Sequence, residues 1–393
     1  MKKSILFAGL LMVSALFIGC NNDHSPETSS TKLWPAAMVS KDAQGIPTSK
    51  WGYIDAKGNF AIPASYMEAY EFSCGYALVR VSANSIFFVD EKNNMQNAPD
   101  FDQVDAFFYY DYVRYMTSSS LWGLLNKNFE IAIQPAYYDL GDMTGDGLVY
   151  FKQGEDSKYG YLDKNGETKI APMYDRAWDF DAGYAVVNMG ENYGVINKSG
   201  EATISLQSKR LRNLGGERIG FVDESSYKFG MMDAKGNIIK QPIYDAYSNY
   251  GFTDFDYMVV GIDGKYGYID KNGKEVLAIQ YAEALPFIED KAFIARTEDA
   301  DFECIDPKGK TLFTLEKDQY PVGAFHNGLC LVLKDTQTKR EYKYINEKGA
   351  AVYSWSIESS NTYLAPAKAK GANRIDIDQY MAGTKWGYRA EKR

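Results

Sequence analysis

The chain has 393 residues, of which 45% are hydrophobic, 15% aromatic and 24% charged, a composition typical of a globular protein and not of a disordered or disulfide-framed one. Its net charge of −9 disfavours nucleic acid as a partner, because nucleic-acid binding needs a basic face. Only 2 His residues leave little material for histidine-based metal sites or acid–base catalysis, and 31 Tyr residues are the most unusual feature of the composition.

The N-terminus has the pattern of an export signal. Two lysines precede an apolar run over residues 4–18, and Gly19-Cys20 follows. The run is shorter than the roughly 20 residues that a membrane-spanning helix needs. A small residue directly before cysteine resembles a bacterial lipoprotein signal, which implies that residues 1–19 are removed and that Cys20 carries a lipid anchor. The alternative is an ordinary cleaved signal in which Cys20 has no role.

A polar tether and a single array follow the predicted anchor. Residues 20–32 contain the predicted lipidated cysteine and a polar stretch without periodicity, typical of a flexible linker. Residues 33–393 form the array. Besides Cys20, the residues Cys74, Cys304 and Cys330 allow one disulfide at most and match no metal motif, and the sequence leaves open whether any bridge forms. We expect Cys304 and Cys330, which fall on strand positions, to be buried free thiols.

One motif recurs about every 36 residues and determines the organisation of the array. An aromatic residue, Gly, two apolar residues and Asp or Asn alternate with a period of two, which predicts a strand. The aromatic–Gly pairs of the clear copies, which we predict to be structural, are Trp51-Gly52, Trp122-Gly123, Tyr159-Gly160, Tyr193-Gly194, Phe229-Gly230, Tyr266-Gly267 and Trp386-Gly387. Weaker copies have Phe87, Glu303 or Lys343 in place of the glycine.

A turn and two further strands complete the predicted unit. Three residues after the terminal Asp or Asn comes Gly in most copies, whereas Asn93 replaces it once and Phe129 breaks the pattern once. This spacing predicts a hairpin turn in which the acid binds nearby amides and the later residue has a positive φ. The glycine within the strand suits close approach of a neighbouring backbone or ring. A second strand, a Pro-x-Tyr corner and a third strand follow, so we predict three strands per unit.

These units resemble the WG β-repeat family of bacterial secreted and lipid-anchored proteins, over residues 33–393. The resemblance implies repeated β units that bind or scaffold a partner, and it transfers no catalytic residues. We therefore expect an all-β protein with about ten tandem three-stranded repeats of about 36 residues around a continuous core. A propeller-like ring is favoured over an open β-superhelix, because residues 33–39 resemble a third strand and Trp386-Gly387 begins a unit, so that the last unit would be split between the termini.

Two groups of residues outside the repeat columns are candidate sites. Clustered aromatic residues could form a ligand surface, with repeat-specific packing as the favoured alternative; they are Tyr109, Tyr110, Tyr112, Tyr250 and Tyr257. The run that starts at Asp142 partly matches a calcium loop with Asp142 and Asp146 as ligands, but Gln153 stands where a bidentate carboxylate is required. An Asp- and Gly-rich turn is therefore the favoured interpretation, and we expect no metal and no cofactor.

The sequence predicts a binding protein and not an enzyme. We expect a lipid-anchored scaffold at the bacterial envelope, held by Cys20 at the outer membrane on its periplasmic or surface face, that recognises an envelope protein through the repeat surface. A glycan-binding lipoprotein that uses the off-column aromatics is the alternative. An envelope hydrolase is disfavoured, because no carboxylate pair stands out as a catalytic pair. The partner's identity and the oligomeric state stay open.

Overall fold

The computed structural model describes residues 32–358 except 42, 44–46, 83–84, 208, 249–250, 253–254 and 337. The predicted signal, Cys20, nearly all of the tether and the C-terminal Trp386-Gly387 copy lie outside the described residues. Over the described part the chain is all-β, without a helix. It follows that this part holds no helix of the length and apolarity that a bilayer crossing requires.

The described strands form nine small antiparallel sheets, which are the consecutive blades of a nine-bladed β-propeller. The strands of blades 1 to 3 are β1 (Trp34–Lys41), β2 (Pro47–Ile54) and β3 (Phe60–Tyr66); β4 (Glu68–Ala69), β5 (Tyr76–Ser82) and β6 (Ser85–Asp90); and β7 (Gln103–Val104), β8 (Tyr112–Met116), β9 (Trp122–Asn126) and β10 (Ile131–Tyr137). The strands of blades 4 to 6 are β11 (Asp139–Leu140), β12 (Leu148–Lys152), β13 (Tyr159–Asp163) and β14 (Thr168–Tyr174); β15 (Arg176–Ala177), β16 (Tyr184–Met189), β17 (Asn192–Asn197) and β18 (Ala202–Gln207); and β19 (Leu211–Gly215), β20 (Arg218–Val222), β21 (Phe229–Asp233) and β22 (Ile238–Tyr244). The strands of blades 7 to 9 are β23 (Ala246–Tyr247), β24 (Tyr257–Ile262), β25 (Lys265–Asp270) and β26 (Glu275–Tyr281); β27 (Glu283–Ala284), β28 (Ala292–Ala295), β29 (Glu303–Ile305) and β30 (Thr311–Thr314); and β31 (Tyr320–Pro321), β32 (Leu329–Asp335), β33 (Lys339–Asn346) and β34 (Ala351–Glu358).

The predicted turn is present after the motif strand of every described blade. In blade 4, Oδ1 of Asp163 accepts hydrogen bonds from the backbone amides of Asn165 at 2.9 Å and Glu167 at 3.0 Å, and the other eight turns repeat this arrangement. The residue three positions after the Asp or Asn has a positive φ in all nine. Phe129, which the sequence marks as a break, adopts φ 61° and keeps the turn, while its ring is buried.

The glycine of the motif strand is required by the neighbouring strand. A Cβ added to Gly160 would lie 2.5 Å from the carbonyl oxygen of Ile170, a contact that no side chain can make. The approach is this close because β14 slips by two residues against β13: Tyr159 lies opposite Tyr174, but Tyr161 lies opposite Ile170. The prediction that this glycine permits close approach of a neighbouring backbone is confirmed.

The prediction of three strands per unit is wrong, because seven of the nine described sheets have four. The additional strand is the first of its blade and in most blades has two residues, such as Arg176–Ala177 directly after the corner at Tyr174. Two residues are too few to show a period-two pattern in the sequence. Blades 1 and 2 have three strands each within the described part. The nine sheets correspond to nine of the about ten predicted units, and the remaining copy, at Trp386-Gly387, lies outside the described residues.

Tyrosine hydroxyls join neighbouring blades. Four blades have Tyr directly after the glycine position of the motif strand, and three of these hydroxyls donate to a backbone carbonyl 17 residues later, in the next blade. The donor–acceptor pairs are Tyr53 to Tyr70 at 2.7 Å, Tyr161 to Trp178 at 2.8 Å and Tyr268 to Leu285 at 2.7 Å. The fourth, Tyr344 in blade 9, donates to the carbonyl of Pro35 in blade 1 at 3.0 Å.

Blade 9 packs directly on blade 1 and closes the ring. Tyr353 donates its hydroxyl hydrogen to the carbonyl of Ala37 at 3.0 Å, and Nε1 of Trp34 donates to the carbonyl of His326 at 2.9 Å. The two blades also share one apolar cluster. β1 pairs along its whole length with β2 of its own blade, so the described ring closes without a strand from the C-terminal copy. The favoured propeller-like ring is thereby confirmed over the open superhelix, and a role for Trp386-Gly387 stays a prediction.

Two cysteines occupy the core, as the sequence predicts. Cys304 and Cys330 are free thiols on β29 and β32, and both are buried in one cluster between blades 8 and 9. Burial raises the pKa of Cys304 to about 12. They therefore act as small apolar side chains in this part of the fold.

Candidate binding surface

The off-column aromatics of blade 3 pack between blades instead of facing solvent. Tyr110 is half-buried with φ 48°, and its ring covers Gly145 in blade 4 so closely that a Cβ there would lie 2.9 Å from the ring. Tyr112, in β8, packs with Tyr110 against the apolar cluster shared by blades 3 and 4. Tyr109 is half-buried as well, and burial, with the charge of Asp142 second, raises the pKa of its phenol.

Blade 7 repeats this arrangement. Tyr257, in β24, makes an edge contact with Phe255 at a centroid distance of 4.9 Å and with Phe287 of blade 8 at 5.6 Å. Tyr250 lies outside the described residues. The geometry places Tyr109, Tyr110, Tyr112 and Tyr257 at blade junctions, where packing accounts for them, and does not bring them together as one exposed ligand surface.

A charged group links the loops between the first and second strands of blades 3 and 4. The guanidinium of Arg114, on β8, lies 2.6 Å from the carboxylate of Asp105 and 3.0 Å from that of Asp142, and it also donates to the carbonyl of Leu140 at 2.9 Å. Burial alone would lower the pKa of Arg114, but Asp142 and Asp105 outweigh it and raise the pKa above its usual value. The guanidinium also lies 5.1 Å from the ring centre of Trp122. The charge of Arg114 is thus paired with carboxylates of both blades, and the group connects blade 3 to blade 4.

The two candidate calcium ligands contact different neighbours. Asp142 faces Arg114 in blade 3, whereas Asp146 accepts from the backbone amide of Gly183 in blade 5 at 3.0 Å and lies 3.5 Å from Nζ of Lys198. Each carboxylate is thus neutralised by a protein donor. The described residues contain no group of three or more His, Cys, Asp or Glu side chains arranged to hold a metal ion. This geometry favours the structural turn that the sequence indicates.

A carboxyl group in blade 2 has a different environment. Glu71 occupies the loop position that Asp142 has in blade 4, directly before a buried side chain of the core. Its Oε2 is enclosed and has no hydrogen-bond partner in the described part of the chain. Burial raises the pKa of Glu71 to about 8, and the pKa of Tyr344 is raised by burial and then by this carboxyl. Glu71 is therefore a largely neutral acid close to the closing blades at pH 7.

Exposed apolar side chains recur on the outer strands of three consecutive blades. Met173, Leu206 and Ile243 occupy the equivalent last-but-one position of the fourth strands β14, β18 and β22. They are 49%, 43% and 42% exposed, whereas large apolar side chains at most other strand positions are buried. We call this set the rim row. Apolar side chains that repeat on one side of a soluble protein are a mark of an interaction surface.

Charged pairs lie beside the rim row. Lys158 pairs with Asp175 next to Met173, and Lys228 pairs with Asp245 next to Ile243. Both carboxylates also accept a backbone amide hydrogen from the adjacent hairpin, Asp175 from Gly190 and Asp245 from Asp263, each at 2.8 Å. These bonds hold the pKa of Asp175 below its usual value, with Lys158 as the largest cause. An apolar centre with a charged border is the usual anatomy of a protein-binding patch.

Sequence reasoning did not find the rim row. Met173 and Ile243 are the middle residues of a Pro-x-Tyr corner, Leu206 has the same place in a copy without that corner, and their exposure depends on the fourth strand being the last of its blade. The sequence does contain a signal for them, because a large apolar residue recurs at this repeat position in three successive copies. The residue that follows it is aromatic in two of the three.

Comparison with known protein families supports the repeat motif. The WG containing repeat matches residues 51–82, 122–155, 159–193, 229–266 and 266–295. No curated protein matches the chain. Among solved structures, apo AztD from Citrobacter koseri has 12% identity and a TM-score of 0.39 over 70% of this chain and 95% of that one. Kluyveromyces lactis Hsv2 has 12% identity and a TM-score of 0.34 over 74% and 96%, and a quinonprotein alcohol dehydrogenase-like protein from Bacteroides thetaiotaomicron has 9% and 0.31 over 82% of each.

Those structural similarities are too weak to transfer an activity or a partner. The family match is specific, because it falls on the same strands and turns that the glycine and Asp columns define. The chain belongs to the family of WG-containing repeat proteins.

Proposed function

We propose that this protein is a lipid-anchored scaffold of the bacterial cell envelope that binds a protein partner through the rim row. The repeat propeller fold supports a binding or scaffold role. The observation that carries the more specific proposal is the recurrence of Met173, Leu206 and Ile243 as exposed apolar side chains on blades 4, 5 and 6. Burying such side chains contributes about 1.5–3 kcal/mol each at a well-packed interface, which is enough to make three of them the centre of a binding site.

The experiment places charge on the rim row of the full-length protein. Photoreactive residues at these three positions first identify the partner by cross-linking in intact cells. A variant that combines Met173→Asp, Leu206→Asp and Ile243→Asp should then fail to co-purify that partner. Leu312→Asp is the matched control, because Leu312 is 43% exposed on the outer strand of blade 8. If the triple variant retains the same partner as the Leu312 variant, the rim row is not the binding surface.

The anchor is proposed from the Gly19-Cys20 signal, with the outer membrane as the expected location, on its periplasmic or surface face. Cys20→Ser should move the protein from the membrane fraction to the soluble fraction. If the variant stays bound to the membrane, the anchor proposal is wrong.

The glycan-binding alternative has less support, because stacking on a sugar needs an exposed ring face. Tyr109, Tyr110, Tyr112 and Tyr257 are half-buried at blade junctions. Glycan binding that is lost in a Tyr112→Ala variant of unchanged stability would restore this alternative.

A binding role without catalysis is part of the proposal. The closely spaced carboxylates Asp105 and Asp142 hold Arg114, and the thiols of Cys304 and Cys330 are buried in the core. Turnover of an envelope polymer by the purified protein would contradict it.

A further inference from the structure

Blade 2 differs from all other blades at its outer edge. In blades 1 and 3 to 9 a further strand follows the motif strand and pairs with it at the outer edge, whereas β6, the motif strand of blade 2, is the last strand of its blade in the described part of the chain. Residues 95 and 96 cover only the end of β6, through a bridge between Val89 and Met95 and a hydrogen bond from the amide of Gln96 to the carbonyl of Phe88 at 2.8 Å. Ile86, two residues before Phe88, directs its backbone groups toward the same edge.

An apolar patch borders this edge. Met67, Val81, Phe87 and Met95 are 44%, 38%, 37% and 53% exposed, and we call them the blade-2 patch. Phe87 and Met95 lie on one face of the sheet, because Phe87 and Val89 are two residues apart on β6 and Val89 lies opposite Met95. Met67 and Val81 lie at the irregular ends of the pairing of β5 with β4 and β6.

The replacement of glycine by Phe87 fits the missing strand. Glycine is needed at this position where a fourth strand crosses closely, as Gly160 shows in blade 4. In blade 2 no described strand crosses there, so a phenyl ring is accommodated and remains partly exposed. An unpaired strand edge beside apolar side chains is a site for addition of another strand.

One repeat motif is not required for closure of the described ring. Residues 385–388 carry the Lys-Trp-Gly-Tyr form of the motif, yet the ring closes by contacts of blade 9 with blade 1. We propose that the C-terminal segment 384–389 adds to β6 as the fourth strand of blade 2 and covers the blade-2 patch. In an extended segment Trp386 and Tyr388 share one face, which matches the apolar face of blade 2.

Reach and charge both support this occupant. The last described strand, β34, ends at Glu358 in blade 9, and blade 9 packs on blade 1, the neighbour of blade 2. Residues 359–384 can extend to about 80 Å, so the segment reaches β6 easily. Residues 359–393 contain seven Lys and Arg against three Asp and Glu, in a chain of net charge −9, whereas residues 90–105 beside β6 contain five acidic residues and one basic residue.

Tethering gives the segment an advantage over any free competitor. A strand linked to the same chain has an effective concentration in the millimolar range for a flexible linker of moderate length. Pairing with β6 would remove the exposed edge that otherwise favours association between copies of the protein.

The test uses the full-length protein with a photoreactive benzoylphenylalanine in place of Phe87. After irradiation and trypsin digestion, we expect a cross-link to residues 386–389 of the same polypeptide, identified by mass spectrometry. Mixing isotope-labelled and unlabelled protein separates intramolecular from intermolecular links. A benzoylphenylalanine at Leu312, which is similarly exposed on blade 8, is the control and should not reach this peptide. Cross-links from position 87 only to another chain or to other segments, or none at all, would overturn the proposal.

Hydrogen exchange gives a second readout that does not depend on the photoreactive residue. Removal of residues 372–393 should cause loss of protection at the amides of Ile86 and Phe88, with unchanged protection in β33. Equal protection at β6 in the full-length and shortened chains would also overturn the proposal. Neither readout involves the rim row, so failure here leaves the proposed scaffold function standing.

Discussion

Blades 4 and 9 have the same four-strand order, yet their third and fourth strands pair differently. In blade 4, β14 slips by two residues against β13 beside Gly160. In blade 9, Lys343 replaces the glycine, and β33 and β34 pair in constant register from Lys339 to Tyr344. The lysine has the space for a side chain because no bulge brings the neighbouring backbone toward it. The glycine is therefore a requirement of the slipped pairing and not of the propeller as such.

Placing the same side chain at the two positions tests this difference most sharply. Gly160→Val should lower the free energy of unfolding by about 3 kcal/mol or more, because its Cβ would overlap the carbonyl of Ile170. Lys343→Val should cost less than about 1 kcal/mol, since it loses only a surface ion pair with Glu316. Urea denaturation of both variants measures the difference. Similar losses for the two would show that the glycine has no such role.

The blades also differ in how they hold their neighbour. Tyr161 of blade 4 makes one hydroxyl bond to blade 5, whereas Tyr344 and Tyr353 of blade 9 make two to blade 1. Tyr161→Phe should cost about 1 kcal/mol and the double change of Tyr344 and Tyr353 to Phe about 2 kcal/mol, because each leaves a carbonyl without its donor. Thermal unfolding checks this order. A double variant as stable as the wild type would mean that the closing bonds do not hold the ring.

Much of this architecture follows from the sequence. The period, the Asp or Asn turn and the close approach at Gly160 were all predictable, because each recurs as a column with one physical requirement. The two-residue first strands were not, since they are too short to show alternation. The blade-to-blade hydroxyl bonds were also hidden, because the acceptors are backbone carbonyls, such as that of Trp178, which leave no sequence signal.

The candidate site was less predictable than the fold. Clustered aromatics such as Tyr110 and Tyr257 indicate a ligand surface by composition, but they pack at junctions whose partners, such as Gly145 and Phe287, lie in the next blade. The rim row is visible only once Met173 is known to lie on the last strand of a blade. Exposure is a property of the assembled ring, and a repeat column alone does not give it.

The blades also differ in the loop that precedes the second strand, and this difference should make the stability of the protein depend on pH. One position of this loop is Asp142 in blade 4, where the carboxylate pairs with Arg114, and Ala324 in blade 9, where there is no carboxyl group. In blade 2 the same position is Glu71, whose buried Oε2 has no hydrogen-bond partner in the described part of the chain. The pKa of Glu71 is raised from 4.5 to about 8 by burial, so the folded state binds more protons than the unfolded state between these values. Stability should therefore fall as pH rises from 4.5 to 8, by up to about 1.4 kcal/mol per pH unit.

Glu71→Gln should remove this pH dependence, because the amide is neutral throughout. Denaturation of the wild type and the variant at several pH values measures it, with the exposed Glu155→Gln as the control. A wild type that becomes more stable over this range relative to Glu71→Gln would contradict the buried, neutral state of the carboxyl.

The smallest effect is expected at the turn, where blade 4 has Asp163 and blade 9 has Asn346 in the same arrangement. Asp163→Asn should change the free energy of unfolding by less than about 0.5 kcal/mol, since the amide oxygen can accept the same two hydrogens. Asp163→Ala should cost about 1 kcal/mol, because both acceptor bonds are lost. Equal effects of Asn and Ala in thermal unfolding would show that the acceptor bonds contribute nothing.

The central structural claim is that blades 9 and 1 close the ring, and a distance measurement tests it most directly. Spin labels on genetically encoded side chains at the exposed positions Ser40, in β1, and Ser354, in β34, avoid the native cysteines. Ser40 lies three residues, about 10 Å, from Ala37, which is bonded to the neighbour of Ser354. Pulsed electron resonance should give one short, narrow distance distribution for the closed ring. A long or broad distribution would mean that the blades form an open array.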